Sequence, residues 1–209
     1  MLALVTPLVA LLVAAEPAEA PLPPEPASAE PVTAAPEAAA PDWMVPAAHA
    51  GGFLLGMRVT VSALWPDAYD PTRWSEERAQ LKLAYTRPPD FRRDRMLFES
   101  DGDPWWLNGF GHAFFGSEIY GRTRQCGGSP LAAFLATTAT SVAWEYGLEA
   151  LHKRPSAVDL VWTPLSGVLL GEGRFRLQRW LRSRDPRSIL LYFVDPLGEL
   201  ERRLFGTRC

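Results

Sequence analysis

The sequence predicts an all-α fold: a small bundle of four to five short, partly membrane-compatible helices behind a disordered tether rich in Pro, Ala and Glu. Three observations carry this. No run shows sustained apolar/polar alternation of period two, which disfavours strands and a β-barrel. Apolar segments of helical length are bounded by Pro, Ser and Asp signals of the kind that start and stop helices. Small residues recur at intervals of four along two of those segments, a spacing that lets helix backbones approach closely.

The chain opens with Leu2 to Ala15, a charge-free run ending in Val13-Ala14-Ala15, which fits a signal peptide over residues 1–15 and hence export. It is short of the roughly 20 residues a membrane span needs. Residues 16–46 hold nine prolines, six acids and no Lys or Arg, a composition that cannot bury apolar surface and is expected to be a disordered Pro-rich linker. The remaining 163 residues, 47–209, suffice for one helical domain with its own core.

Within that domain, 47–64 is apolar with the single charge Arg58 and stops at Trp65-Pro66-Asp67, so a first helix is expected there. Residues 69–103 are polar and interrupted by Pro71, Pro88 and Pro89, a surface excursion with one amphipathic piece over 74–85. Pro104 starts the next helix, 105–120, with Asp101 and Asp103 where acids favour a helix N-terminus. Gly109, Ala113, Ser117 and Gly121 form its small-residue stripe. Ser129-Pro130 reads as N-cap and first residue of a helix over 131–151. The 20 uncharged residues between Arg124 and Glu145 are long enough to enter a bilayer, although part is loop and Thr137, Thr138, Thr140 and Ser141 dilute the apolarity. Ser156 caps a segment over 157–181 that Thr163-Pro164 should kink or restart, with Gly167 and Gly171 as a second small-residue pair. The last segment, 188–205, is interrupted at Asp195-Pro196-Leu197-Gly198.

Charge is uneven. Overall the chain carries −3, but with the six acids of the tether set aside the rest holds 21 basic against 18 acidic residues, a net of +3. Basic residues dispersed among acids are no nucleic-acid footprint. The mild basic tilt suits a surface near anionic lipid, so membrane lipid is the expected partner and an envelope protein partner stays open. Cys126 and Cys209 lack CxxC spacing, which argues against a cysteine zinc site. They either form one disulfide in an oxidising compartment or remain two thiols.

On the 131–151 helix, Thr138, Ser141, Glu145, Glu149 and His152 fall at spacings of three and four, hence on one face. Carboxylates one turn apart repel unless a cation or proton sits between them; His112, His152, Arg154, a metal ion or a shared proton could serve. Asn108 and His112 are one turn apart, as are Asp159 and Thr163. Brought together with Ser156, these residues form a polar network. His112, Glu145, Glu149 and Asp159 are its candidate catalytic residues and candidate ligands for a divalent metal. The plainer alternative is a hydrogen-bonded network that fixes helix register. No metalloprotease or nucleophile motif is present, Ser141 and Ser156 lack a nucleophile-elbow context, and His49 and His152 stand alone.

The string Phe98-Glu99-Ser100-Asp101-Gly102-Asp103-Pro104-Trp105-Trp106, with Asn108, His112, Gly116, Tyr120 and Arg122, resembles an uncharacterised bacterial envelope family, DUF3943. Trp144-Glu145-Tyr146, Glu149, Pro155-Ser156, Asp159-Leu160, Thr163-Pro164, Gly167, Gly171-Glu172 and the closing Asp195-Pro196-Leu197-Gly198 follow that family's pattern in order, most closely over 98–173. Ala113 departs from it, because the pattern has Pro after the His. The resemblance implies a Gram-negative envelope protein with a mainly helical domain and no established activity. A His, a Glu and an Asp on successive apolar helices also look distantly like VanZ-like membrane proteins. The expectation is therefore a membrane-associated, periplasm-facing envelope protein with a structural or binding role and no established cofactor. The alternative is a metal-assisted hydrolase of envelope lipid or glycan. An enzyme needs the four side chains to meet a water-accessible pocket, whereas a structural network should be closed.

Overall fold

The computed structural model describes residues 41–66, 72–207 and 209. The expected signal peptide and most of the expected tether lie outside these residues. Residues 41–46 are described: Asp42 N–H donates to Cys126 O at 3.1 Å, and the first helix has begun by Met44.

Among the described residues the fold is all-helical, with seven helices and no strand. α1 spans Met44–Leu64 and α2 spans Trp74–Thr86. α3 starts as a π turn, Leu107–Gly111, and continues as α-helix over His112–Gln125. α4 runs over Pro130–Ala143, then through a π turn, Trp144–Leu148, and a 3-10 turn, Glu149–Leu151. α5 comprises Asp159–Ser166, a π turn over Gly167–Gly171, and Glu172–Arg184. α6 is Leu190–Val194 and α7 is Pro196–Phe205.

Two expectations need correction. The bundle has seven helices rather than four to five. The additional short elements arise because the amphipathic piece becomes α2 and because Pro196, which has no N–H to donate, restarts the chain as α7 after α6. Nor are the helices membrane-compatible as spans: no helix among the described residues is long and apolar enough to cross a membrane. The 20-residue uncharged run is divided between the loop after α3 and α4, whose N-cap Ser129 accepts from Ala132 N–H, so it never forms one long apolar helix.

α3 is the central element, packed against α4, α5 and α1 through Phe115, Ile119, Tyr120 and other buried residues. Its closest crossing is with α5. A Cβ on Gly116 would lie 2.1 Å from Thr163 O, and one on Gly171 would lie 2.8 Å from the Tyr120 ring. Gly167 faces Gly116 O at 2.9 Å by the same measure. The expected pair Gly167 and Gly171 thus sits at this crossing. On α3 the closest approach falls at Gly116, outside the Gly109, Ala113, Ser117, Gly121 stripe. Ala113 and Ser117 are buried, Gly121 makes ordinary contact with Gly171 O, and Gly109 contacts Phe98. Pro164 neither breaks nor restarts α5; the helix passes through it into the π turn at Gly167.

A Cys126–Cys209 disulfide joins the end of α3 to the C-terminus. Around it, Arg122 donates to Glu201 and Cys209 O, while Arg202 pairs with Asp195 and Glu199. Asp195 also caps α7, accepting from Gly198 N–H at 3.2 Å. Apolar contacts alone would hold so short a helix poorly; these charge-assisted bonds fix it against α3.

Candidate functional site

The polar residues singled out in the sequence meet at one place. Asn108, His112, Ser141, Glu145, Glu149, Ser156, Asp159 and Thr163 are all buried, five of them with no exposed surface. Their backbone positions explain why. His112 directly follows the π turn of α3, Glu145 lies inside that of α4, and Glu149 follows it. A π turn inserts one residue into the helix, which rotates everything beyond it by about a quarter turn and re-aims side chains. The face expected to carry Thr138, Ser141, Glu145, Glu149 and His152 is therefore split. Thr137, Ser141, Glu145 and Glu149 turn inward, Thr138 bonds back to Phe134 O, and His152 pairs with Arg58 at 2.6 Å.

His112 Nδ1 shares a 2.8 Å hydrogen bond with Thr163 Oγ1, which leaves Nε2 facing Asp159 Oδ2 at 3.9 Å. Glu145 Oε2 accepts from Ser156 N–H at 2.7 Å, and Ser156 Oγ in turn accepts from Asp159 N–H at 3.2 Å. Ser141 Oγ donates to Asp159 O at 3.4 Å. One ligand atom each from His112, Glu145 and Asp159 falls within 4.8 Å of the others. Glu149 is beside this trio and close enough to Glu145 for their carboxyls to share a proton.

The cation against the carboxylates is Lys153, which spacing arguments passed over in favour of its neighbours. Its Nζ lies 2.5 Å from Asp101 Oδ2 and 3.4 Å from Glu149 Oε1, and it also holds Asp103. Asn108 completes this clamp by donating to Asp101 Oδ1 at 2.7 Å and to Phe98 O at 3.0 Å. Arg154 instead pairs with Asp90, whose backbone bridges to Ser156. The excursion over 87–104 thus folds back to form one wall of the site. A contact between residues 52 apart leaves no local signal in the sequence.

Burial sets the protonation of the cluster. It pushes His112 below its usual range, with Glu149 opposing, so the imidazole is neutral at pH 7. Burial, reinforced by Glu149 and Asp159, holds the Glu145 carboxyl well above the carboxylate range. Burial raises Glu149 too, with Lys153 opposing, and carries Asp159 up to about 7. Asp101 goes the other way: burial alone would raise it, but the charge and hydrogen bond of Lys153 outweigh that and lower it.

The cluster is not closed off. A cavity of about 1220 Å³ opens between α1, the start of α3, the segment from Trp144 to Lys153, and α7. His112, Glu149, Lys153, Asp103 and His152 form one polar group in its lining and the His49–Glu201 pair another, while most of the rest is apolar, including Phe53, Met57, Val61, Trp106, Leu200 and Leu204. Glu145 and Asp159 stand behind His112 rather than on the cavity wall.

Residues 97–197 match a family described as a domain of unknown function, DUF3943. The chain resembles that family over this segment. No curated protein and no solved structure matches the chain, and nothing in the comparisons supports the more distant likeness to VanZ-like membrane proteins. The DUF3943 segment contains the whole polar cluster, Asp101 and Lys153 included, together with α3 to α6. α1, which supplies much of the apolar wall, precedes it, and α7 lies almost entirely beyond it. The His112, Glu149 and Lys153 patch therefore belongs to the matched segment, whereas the His49–Glu201 pair and most of the apolar wall do not.

Proposed function

We propose that this chain is a membrane-associated, periplasm-facing protein of the bacterial cell envelope that binds an amphiphile, with acyl chains in the cavity and a polar headgroup against His112, Glu149 and Lys153. The cavity carries this reading. Its size exceeds the usual range for small-molecule sites, its walls are mostly apolar, and His112, Glu149 and Lys153 give it a charged patch, a combination an amphiphile complements. Two further features support it. A disulfide persists in an oxidising compartment, which agrees with export. The surface also carries large apolar side chains well beyond isolated examples, among them Trp106, Phe110 and Phe114 one turn apart on α3, and Leu190 and Phe193 on α6. Of these, Trp106 and Phe114 border the cavity while Phe110, Leu190 and Phe193 lie outside it, and such surface marks contact with lipid or another protein.

Gly52 and Gly56 provide the test. Both line the cavity on α1, and a Cβ on either meets nothing within 4 Å. Leucine at these positions fills the cavity while adding roughly 1 kcal/mol of helix propensity. Full-length protein should bind a fluorescent fatty-acyl probe, and Gly52→Leu with Gly56→Leu should weaken that binding about tenfold or more without lowering the melting temperature. Wild type that ignores the probe, or a filled variant that binds it equally well, would refute the proposal.

A second reading, metal-assisted hydrolysis of an envelope lipid or glycan, is favoured by one observation: His112 belongs both to the cavity wall and to the His112, Glu145, Asp159 trio. It requires turnover of an ester or glycosidic lipid that Glu149→Gln abolishes while acyl-probe binding is retained.

A further inference from the structure

The trio behind the cavity wall is built as a ligand set. A buried carboxylate oxygen normally finds a donor, because leaving one unpaired costs free energy. Asp159 is fully buried, yet neither of its carboxylate oxygens has a hydrogen-bond partner among the described residues. Glu145 Oε1 is buried and unpartnered as well. A proton shared with Glu149 would satisfy Glu145, whereas the Ser156 hydroxyl, the group beside the Asp159 carboxyl, makes no hydrogen bond of normal geometry to it. His112 Nε2 faces Asp159 Oδ2 at 3.9 Å, too long for a hydrogen bond.

That separation suits two atoms bound to one ion. Ligands about 2.1 Å from a tetrahedral metal lie roughly 3.4 Å apart, and relaxed sites are somewhat wider. The surroundings fit as well. Thr163 Oγ1 engages His112 Nδ1, which fixes the ring and leaves Nε2 as the free nitrogen, the arrangement found behind metal-bound histidines. Ser156 N–H holds Glu145 Oε2 and leaves Oε1 available. The π turns that place His112 and Glu145 deliver both side chains to the same point.

We infer that His112 Nε2, Glu145 Oε1 and the Asp159 carboxylate bind one divalent transition-metal ion. The class of ion follows from the donors: one imidazole with two carboxylates suits zinc and its first-row neighbours, whereas magnesium and calcium take oxygen alone. Three protein ligands leave a position for water or for a ligand atom. The inference does not depend on the amphiphile reading, because the trio is complete without anything in the cavity.

Full-length protein prepared without chelator, then equilibrated with zinc and desalted, should retain about one zinc per chain by elemental analysis. With cobalt in place of zinc it should show visible absorption bands from a low-symmetry site. Asp159→Asn and Glu145→Gln preserve side-chain shape and should reduce retained zinc at least tenfold. Thr163→Val, which removes only the bond to His112, should weaken affinity about 10- to 100-fold, as outer-shell changes do. His112→Ala serves as a further ligand deletion, read only if its helical circular dichroism matches wild type. Zinc retained equally by Asp159→Asn and Glu145→Gln, or wild type that takes up neither zinc nor cobalt, would overturn the inference. A loaded protein with no hydrolytic turnover would remove the hydrolase reading and leave the metal site standing.

Discussion

Lys153 shows how much of this site rests on one side chain. It balances Asp101, Asp103 and Glu149, and through Asp101 it orders Asn108 at the start of α3. Removing a cation from buried carboxylates leaves uncompensated charge, so Lys153→Met should cost about 3 kcal/mol or more, read by urea unfolding at pH 7. The pH dependence follows from Asp101, which faces Lys153, Asp103 and Asn108. Its folded-state acidity is strengthened, so its contribution is complete above the ordinary carboxylate value of 3.8 and is lost as pH falls through the lower folded value. Wild type should therefore lose stability as pH falls below about 3.8, and Lys153→Met, already lacking that contribution, should decline less steeply. Equal slopes would show that Asp101 is not held by Lys153. The sequence made Glu145 and Glu149 visible as carboxylates in need of a counter-charge, because their spacing is local. It could not choose Lys153 over His152 and Arg154, because that choice depends on a loop more than fifty residues upstream.

At the scale of elements, helix starts were legible and helix irregularities were not. Ser129-Pro130 announces α4 by chemistry confined to two residues, a capping oxygen followed by a proline that needs no donor, whereas Asp195-Pro196 reads in the sequence as a break in the last segment and in the fold caps α7. The three π turns at Leu107–Gly111, Trp144–Leu148 and Gly167–Gly171 have no comparable signature, since an inserted residue alters hydrogen-bond register without demanding a residue type. The one in α4 re-aims the residues that follow it, and so a regular 3.6-residue projection misplaces His152. The α3/α5 crossing is equally specific. Gly116→Ala would drive a Cβ into the Thr163 backbone and displace the partner of His112. Overpacking of this kind costs about 3 kcal/mol or more where backbone must move. Gly56→Leu, in open space on α1, should instead be neutral or stabilising, and paired thermal melts of the two variants separate these cases.

Over the whole molecule, a central core from α3, α4 and α5 supports a cavity whose remaining walls, α1 and α7, are attached from the two ends of the domain. The C-terminal end is tied by Cys126–Cys209, which closes a loop of 83 residues. Loop-closure entropy for that length sets a ceiling of about 4.5 kcal/mol, so reduction or Cys209→Ser should lower unfolding free energy by about 2 to 4 kcal/mol. The same change should loosen α7 and weaken acyl-probe binding. Composition and spacing made the helical class and the polar cluster readable. The cavity was not, because it exists only where α1 and α7, outside the DUF3943 segment, come to lie over the cluster.

The most direct test of amphiphile binding is photocrosslinking of full-length protein with a fatty-acyl probe carrying a diazirine along its chain, followed by mass-spectrometric mapping. The account predicts adducts concentrated on cavity residues such as Met57, Thr60, Trp106 and Leu204, lost by competition with excess unlabelled lipid. Adducts confined to the outer apolar residues, such as Leu135 and Phe193, or labelling that lipid fails to compete, would contradict it.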